Sequence, residues 1–393
     1  MPFLYDLLLK AIRPIVNKWP LPRIEEGGIY VHAASLGEVN AISPFIHLII
    51  QRHPDMPIFL STFTETGYRR AHDLFDGDIA IGRFPYDIKD KIDEFFRKGN
   101  FRALLIVETE LWPNLILTAR KYGVPIFLVN ARLSPRTLRR YRVLKSKFSS
   151  LLSLFSLILA QSETDRRRYL YLGAPPERVR VTGSLKFDLM NEEVEPPENF
   201  PSGNRRLVVF GSVRPKEEEL ILKAAVSLLR KNPEAHFVIA PRHIDRVQAI
   251  RKFLDSRGIP YSLRTSGEIR GRIMILDTLG ELRNFYGVAD VAFVGGTLAP
   301  YGGHNLVEPA ILGVPVIFGP HYFNTPDAAR GLLKSGGALL VHNGEELEET
   351  ILTLLREENL RQKIGERARK YVLSRRGVSE KIYREILPYI TSK

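Results

Sequence analysis

Short apolar runs and stretches of helical periodicity alternate along almost the whole chain. Residues 29–33, 58–62, 103–107, 125–130, 157–161 and 179–182 are apolar runs of strand length. Between them, apolar positions recur at helical spacing near 39–51, 66–74, 88–96, from 112, near 136–152 and from 163. Strands that alternate with helices predict a mostly parallel sheet with helices on both faces. The pattern then stops. Residues 191–204 are acidic and rich in proline and glycine, the composition of a linker. Alternation restarts with strand-like runs at 206–210, 237–240, 273–276, 291–294 and 315–318. Helices are expected near 216–229, after 243, from 277 and over 304–311. Three more, at 345–356, 360–373 and 378–387, close the chain. The expected fold class is α/β, with two doubly wound domains.

The expected boundaries are 1–27 for an N-terminal helix and connector, 28–190 for the first domain, 191–204 for the linker and 205–374 for the second domain. Residues 375–393 form a last helix that is free to pack back on the first domain. Within residues 1–20, Leu4, Leu7, Leu8, Ala11, Ile12 and Ile15 share one helical face, with Asp6, Lys10, Arg13 and Asn17 largely opposite. The run contains Pro14 and falls short of the about 20 apolar residues of a spanning helix. It lacks the cleavage site of a signal peptide. It reads as an amphipathic helix in a membrane interface, or as a helix packed on the protein's own body.

Composition narrows the chemistry. There is no cysteine, which excludes disulfides, zinc–thiolate sites and cysteine nucleophiles. The net charge of +13 attracts nucleic acid, an anionic membrane or an acidic substrate, and charge alone does not choose among them. A nucleic-acid binder calls for aromatic-studded sheet faces or a basic recognition helix, and the pattern offers neither clearly. A basic segment at 132–147 interleaves Arg132, Arg136, Arg139, Arg140, Arg142, Lys145 and Lys147 with Tyr141, Leu144 and Phe148. It suits phosphates or an anionic leaflet, or it is a solvated face.

Candidate site residues cluster at the carboxyl ends of the expected strands, the edge that carries ligand sites in open α/β sheets. Glu38 stands in the first turn of the helix after the first strand, as a reactive carboxylate or as a complement to the helix dipole. Glu108 and Glu110 follow the 103–107 strand, just ahead of Pro113 in a helix first turn. Lys186 follows 179–182, close to the linker. In the second half, Arg242 after 237–240 is placed for a phosphate. The stretch 291–308 joins an apolar strand to Gly295-Gly296, Gly302-Gly303 and a helix start at His304-Asn305. That arrangement aims backbone N–H groups at an anion, with Glu308 placed for ribose hydroxyls, or it is only a tight strand–helix turn.

Several of these segments together resemble a known family. Ala34-Ser35-Leu36-Gly37-Glu38, Glu108-Thr109-Glu110-Leu111-Trp112-Pro113-Asn114, Asn130-Ala131-Arg132, Gly183-Ser184-Leu185-Lys186-Phe187-Asp188, Pro241-Arg242-His243 and Gly302-Gly303-His304-Asn305 with Glu308 occur in family order. The chain resembles the Kdo transferases, which move 3-deoxy-D-manno-octulosonic acid (Kdo) from CMP-Kdo to a lipid A precursor. The resemblance implies a glycosyltransferase B-type fold, two Rossmann-like domains facing a central cleft. It implies Glu38 as general base, and Glu108 and Lys186 in transition-state stabilisation. For CMP binding it implies Pro241, Arg242, Leu279, Gly280, Glu281, Asn305, Leu306, Val307 and Glu308. It further implies inversion at the anomeric carbon in lipopolysaccharide inner-core synthesis, with no cofactor. Cationic side chains are expected to replace a metal. The implied partners are CMP-Kdo, a lipid A precursor such as lipid IVA, and the anionic cytoplasmic face of the inner membrane, held by the N-terminal helix and the basic surface. Nucleic acid is not among them.

Overall fold

The structure, a computed structural model, describes residues 24–189, 194–198, 206–268 and 270–391. The amphipathic helix expected at 1–20 and much of the 191–204 linker lie outside the described residues. The chain divides into two compact units, one made of the chain up to Leu189 together with the stretch from Arg375, the other running from Met190 to Ser374.

The first unit holds seven strands: β1 (Ile29–His32), β2 (Ile58–Thr62), β3 (Ala80–Arg83), β4 (Ala103–Val107), β5 (Ile126–Ala131), β6 (Leu157–Ala160) and β7 (Val179–Val181). Their order in the sheet is β3-β2-β1-β4-β5-β6-β7, and every pairing is parallel. Strands β1, β2, β4, β5 and β6 are buried along their length, because helices cover both faces. The order reverses between β1 and β4, which places the topological switch point there.

The last helix, Val378–Ile390, belongs to this unit. Val378, Ile382, Ile386 and Ile390 are buried with Val39, Ile42, Phe45, Ile46 and Ile49 of the helix Leu36–Arg52. Asp188 fastens its start. The Asp188 carboxylate accepts from the N–H groups of Gly377 (2.9 Å), Val378 (3.2 Å) and Ser379 (2.6 Å), the free donors of a helix N-terminus.

The second unit repeats the plan with β8 (Arg206–Val213), β9 (Ala235–Pro241), β10 (Tyr261–Leu263), β11 (Ile273–Ile275), β12 (Val291–Val294), β13 (Val316–Phe318) and β14 (Ala338–Leu340). Their order is β10-β11-β9-β8-β12-β13-β14, again parallel throughout. Here the switch point lies between β8 and β12. Both units are therefore Rossmann-like and doubly wound.

The structure departs from the sequence expectation in five places. Strands β3, β10 and β14 were not expected; all are short edge strands with a weak apolar run. The helix expected over 136–152 is two helices, Pro135–Arg142 and Lys145–Leu152. The helix expected from 277 begins at Leu282, because Asp277 accepts from the backbone N–H of Thr265 at 2.9 Å instead of capping. The helix expected over 304–311 is one turn, Val307–Ile311. A further helix, Pro326–Ser335, was not expected.

Candidate active site

In the first unit, the turn after β1 sets Glu38. Ser35 caps the helix Leu36–Arg52, its hydroxyl 3.4 Å from the Glu38 N–H. Glu38 answers by accepting from the Ala34 N–H at 2.6 Å and from the Ser35 hydroxyl at 3.3 Å. This reciprocal cap satisfies two helix-end donors. Capping alone does not account for its electrostatics. Glu38 is only 9% exposed. Burial, and then the charges of Glu110 and Glu108, push its acid up to about 8. Burial also raises the Glu110 acid, with Glu108 adding to the effect.

Glu108, the residue after β4, has a φ of 60°, and Asn130 near the end of β5 has a φ of 52°. Non-glycine residues adopt that region at a cost of about 1–3 kcal/mol, and such residues gather at functional sites. The strain is held from several sides. The Glu108 N–H donates to the Val129 carbonyl at 3.0 Å. The buried Tyr169 hydroxyl donates to the carbonyls of Glu108 (3.4 Å) and Arg132 (3.3 Å). The Asn130 Oδ1 accepts from the Leu185 N–H at 3.0 Å. That bond anchors the single turn Leu185–Phe187, which carries Lys186. Lys186 is half-buried and makes no hydrogen bond or ion pair among the described residues. The structure thus gathers Glu38, Glu108 and Glu110 at the switch point and ties the Lys186 turn to β5. Behind them His32 is fully buried; its Nδ1 lies 2.8 Å from the Ser61 hydroxyl, and burial pulls its pKa down to about 3.

In the second unit, the loop after β12 differs from the anion cradle expected of its glycines. Several of its N–H groups are already committed. The fully buried Glu217 carboxylate accepts from the N–H groups of Gly296, Leu298 (3.1 Å), Ala299 (3.4 Å) and Arg214 (3.1 Å). Gly295 donates to the Gly211 carbonyl at 2.8 Å, and Gly303 to the Gly296 carbonyl at 2.8 Å. The glycines serve conformation: Gly296, Gly302 and Gly303 all have φ between 71° and 93°.

Positive charge comes from side chains instead. Arg214, the residue before the helix Pro215–Lys231, donates through Nε to His304 Nε2 at 3.2 Å, and its Nη1 lies 2.8 Å from His243 Nε2. Its guanidinium lies 5.1 Å from the Tyr301 ring centre. Burial, with Arg214, Arg242 and His243 nearby, lowers the His304 pKa to about 4, so the ring is neutral and its Nε2 accepts. Arg242 follows β9 and is exposed. The sequence reading did not single out Arg214 or Glu217. The available signal was an arginine at a strand's carboxyl end, followed by Pro215 at a helix start.

The remaining expected residues fall as follows. Pro241 is the last residue of β9. Leu279 is 80% exposed and Gly280 has a φ of 91°. Glu281 is held by Arg264 through Nε at 3.0 Å and Nη2 at 2.7 Å, which keeps its acid below the usual carboxylate range. Asn305 Nδ2 donates to Glu308 at 3.0 Å, and Asn305 Oδ1 accepts from the Val307 N–H at 3.2 Å. Burial raises the Glu308 acid, opposed by Asn305 and Arg283. Leu306 and Val307 bury their side chains in the core, so only their backbone is available to a ligand. One Asp-x-Asp pair, Asp76-Gly77-Asp78, stands in an exposed turn before β3, at the sheet edge opposite the carboxyl ends. Among the described residues, no group of three or more His, Asp or Glu side chains is arranged to hold a metal ion.

Two parallel Rossmann-like sheets, each with polar side chains at the carboxyl-end switch point, define the class as the glycosyltransferase B-type fold. The UDP-GlcNAc 2-epimerase of Neisseria meningitidis, solved with UDP-GlcNAc, shares that fold at a TM-score of 0.67 over 92% of this chain and all of its own, with 15% identity. Residues 190–371 match the family described as glycosyl transferases group 1. Residues 12–189 match that described as 3-deoxy-D-manno-octulosonic-acid transferase (kdotransferase). The 3-deoxy-D-manno-octulosonic acid transferase of Haemophilus influenzae is 33% identical over 372 residues, covering 92% of this chain and 87% of that protein. That of Bordetella pertussis is 32% identical over 417 residues, covering 96% of each. The chain belongs to the Kdo transferase family and is a glycosyltransferase of lipopolysaccharide synthesis.

Proposed function

We propose that the chain moves Kdo from CMP-Kdo to a lipid A precursor such as lipid IVA by a single displacement that inverts the anomeric centre. The observation that carries this is Glu38, a buried carboxylate with its acid raised to about 8 beside Glu108 and Glu110. A sugar hydroxyl is a poor nucleophile, and a base with a pKa near working pH removes its proton best. Glu38 takes that proton as the acceptor oxygen bonds to the anomeric carbon. The bond from that carbon to the phosphate oxygen breaks, and CMP leaves with the electron pair. Glu108 faces the positive charge that grows on the sugar, and Lys186 the donor's anionic groups. In the second unit, Pro241, Arg242, the 279–281 turn and Asn305 to Glu308 take the CMP, with Glu308 on the ribose. Fixed cations near the leaving phosphate supply the stabilisation that a metal supplies elsewhere.

The acceptor is acylated and anionic. Arg136, Arg139, Arg140, Arg142, Lys145 and Lys147 are all exposed, and Val143 between them is 81% exposed, a surface suited to an anionic leaflet. No helix among the described residues is long and apolar enough to cross a membrane. The reading therefore places the protein on the cytoplasmic face of the inner membrane.

One assay tests the reading. The full chain is given CMP-Kdo and lipid IVA in anionic vesicles, with and without EDTA, and the lipid is weighed by mass spectrometry. Addition of one or more Kdo units in both conditions is expected, and Arg139→Glu with Arg140→Glu should slow transfer from vesicles more than from detergent micelles. No mass gain overturns the assignment. Loss with EDTA that added metal restores overturns metal independence, and equal slowing in micelles removes the basic face from membrane contact.

A further inference from the structure

The Glu217 carboxylate already fills the nest of N–H groups formed by the loop after β12, the place where a strand–glycine–helix unit ordinarily receives an anion. A donor phosphate arriving at this edge of the second unit therefore meets a negative charge in the loop, which a cation nearby would offset. Arg242 and Arg214 are both cations at this edge, and Arg214 is the half-buried one. It leaves β8 just after an irregularity in the strand, where the register against β9 shifts between Phe210 and Val213 and Ser212 takes a φ of 57°.

What surrounds Arg214 is unusual for a half-buried arginine. It forms no ion pair with a carboxylate among the described residues. Its contacts are His304 at 3.2 Å, His243 at 2.8 Å and the Tyr301 ring, all from segments that follow other strands of the same sheet. His304 is neutral, so this contact fixes the guanidinium without cancelling its charge. Nε and one Nη1 proton are used. The second Nη1 proton and both on Nη2 have no acceptor among the described residues. A planar guanidinium with a free edge matches two oxygens of a phosphate, and one that is already held loses little freedom on binding.

We infer that Arg214, oriented by His304, His243 and Tyr301, is a ligand of the donor nucleotide's phosphate. This rests on the reading of the second unit as the CMP-binding unit. A sugar carboxylate offers similar oxygens, and the experiment separates the two. Calorimetric titration of the full chain with CMP, cytidine and free Kdo is compared for wild type, Arg214→Gln and Arg214→Lys. The expected result is CMP affinity at least tenfold weaker in Arg214→Gln and partly kept in Arg214→Lys, with cytidine binding unchanged in both. Unchanged CMP affinity overturns the inference. Loss confined to free Kdo reassigns Arg214 to a carboxylate and overturns it as stated. Equal loss of CMP and cytidine, in either variant, marks a damaged nucleoside pocket and also overturns it. A wild-type chain that binds neither CMP nor cytidine refutes the underlying reading of the second unit, and Arg214 with it.

Discussion

At the scale of single residues, Glu38 shows how one side chain serves structure and chemistry together. Its position in the first turn after β1, where a carboxylate complements the helix dipole, is legible in the sequence and holds in the structure. Its electrostatics are not legible, because Glu108 and Glu110 are some 70 residues away in the chain. The pH behaviour follows from the shift. The acid is raised from 4.5 to about 8 in the folded protein. The stability this group contributes is thus complete below pH 4.5 and is lost as pH rises through 8. Glu38→Gln removes the titration, so its melting temperature relative to wild type should climb between pH 5 and pH 9. In kinetics, wild-type kcat/KM should rise to a plateau above about pH 8. Glu38→Gln should lose that rise and about 10²–10⁴-fold in rate, the usual range for a general base. A flat wild-type profile from pH 6 to 9, or near-native turnover in the variant, removes Glu38 from the proton transfer.

At the scale of elements, the loop after β12 is the instructive case. Its glycine pairs announce an unusual backbone, and the positive φ values bear that out. They do not announce what the backbone N–H groups hold. That depends on Glu217, which is more than 70 residues earlier and lies one turn into the helix Pro215–Lys231. Removing it leaves buried donors unsatisfied. Glu217→Ala should destabilise the second unit by about 3 kcal/mol. In hydrogen exchange, the amides of Gly296, Leu298 and Ala299 should lose protection, while those of β5 in the first unit should not. Retained protection at those three amides means that the loop is held by something else. The elements missed in the sequence share a cause as well. Edge strands β3, β10 and β14 are covered less than central strands, so they carry shorter apolar runs and no clear period. The break near Val143 and Leu144 is hidden because the basic residues around it suit helix equally on both sides.

At the scale of the whole molecule, the chain closes its first unit with its last helix. Val378, Ile382, Ile386 and Ile390 complete a core whose residues on the helix Leu36–Arg52 lie more than 320 positions earlier. Burying each contributes about 1.5–3 kcal/mol. A chain ended after Ser374 should therefore lose much of the first unit's stability and leave the second unit's intact. Both tryptophans, Trp19 and Trp112, precede residue 190, so the second unit has none, and Trp112 reports on the first unit. The truncated chain should show an early fluorescence transition and a later one seen only by circular dichroism. A single coincident transition at the wild-type temperature defeats this.

The sequence by itself determined the two α/β halves, the order of most strands and helices, and the family, because apolar periodicity and motif spacing are local properties of the chain. Only the tertiary structure decided which strands lie at the switch points, that Glu38 shares its surroundings with Glu108 and Glu110, and that Glu217 takes up amides of the loop after β12 with Arg214 close by. Those are matters of proximity between distant residues, and burial and Coulomb energy depend on distance in space rather than along the chain.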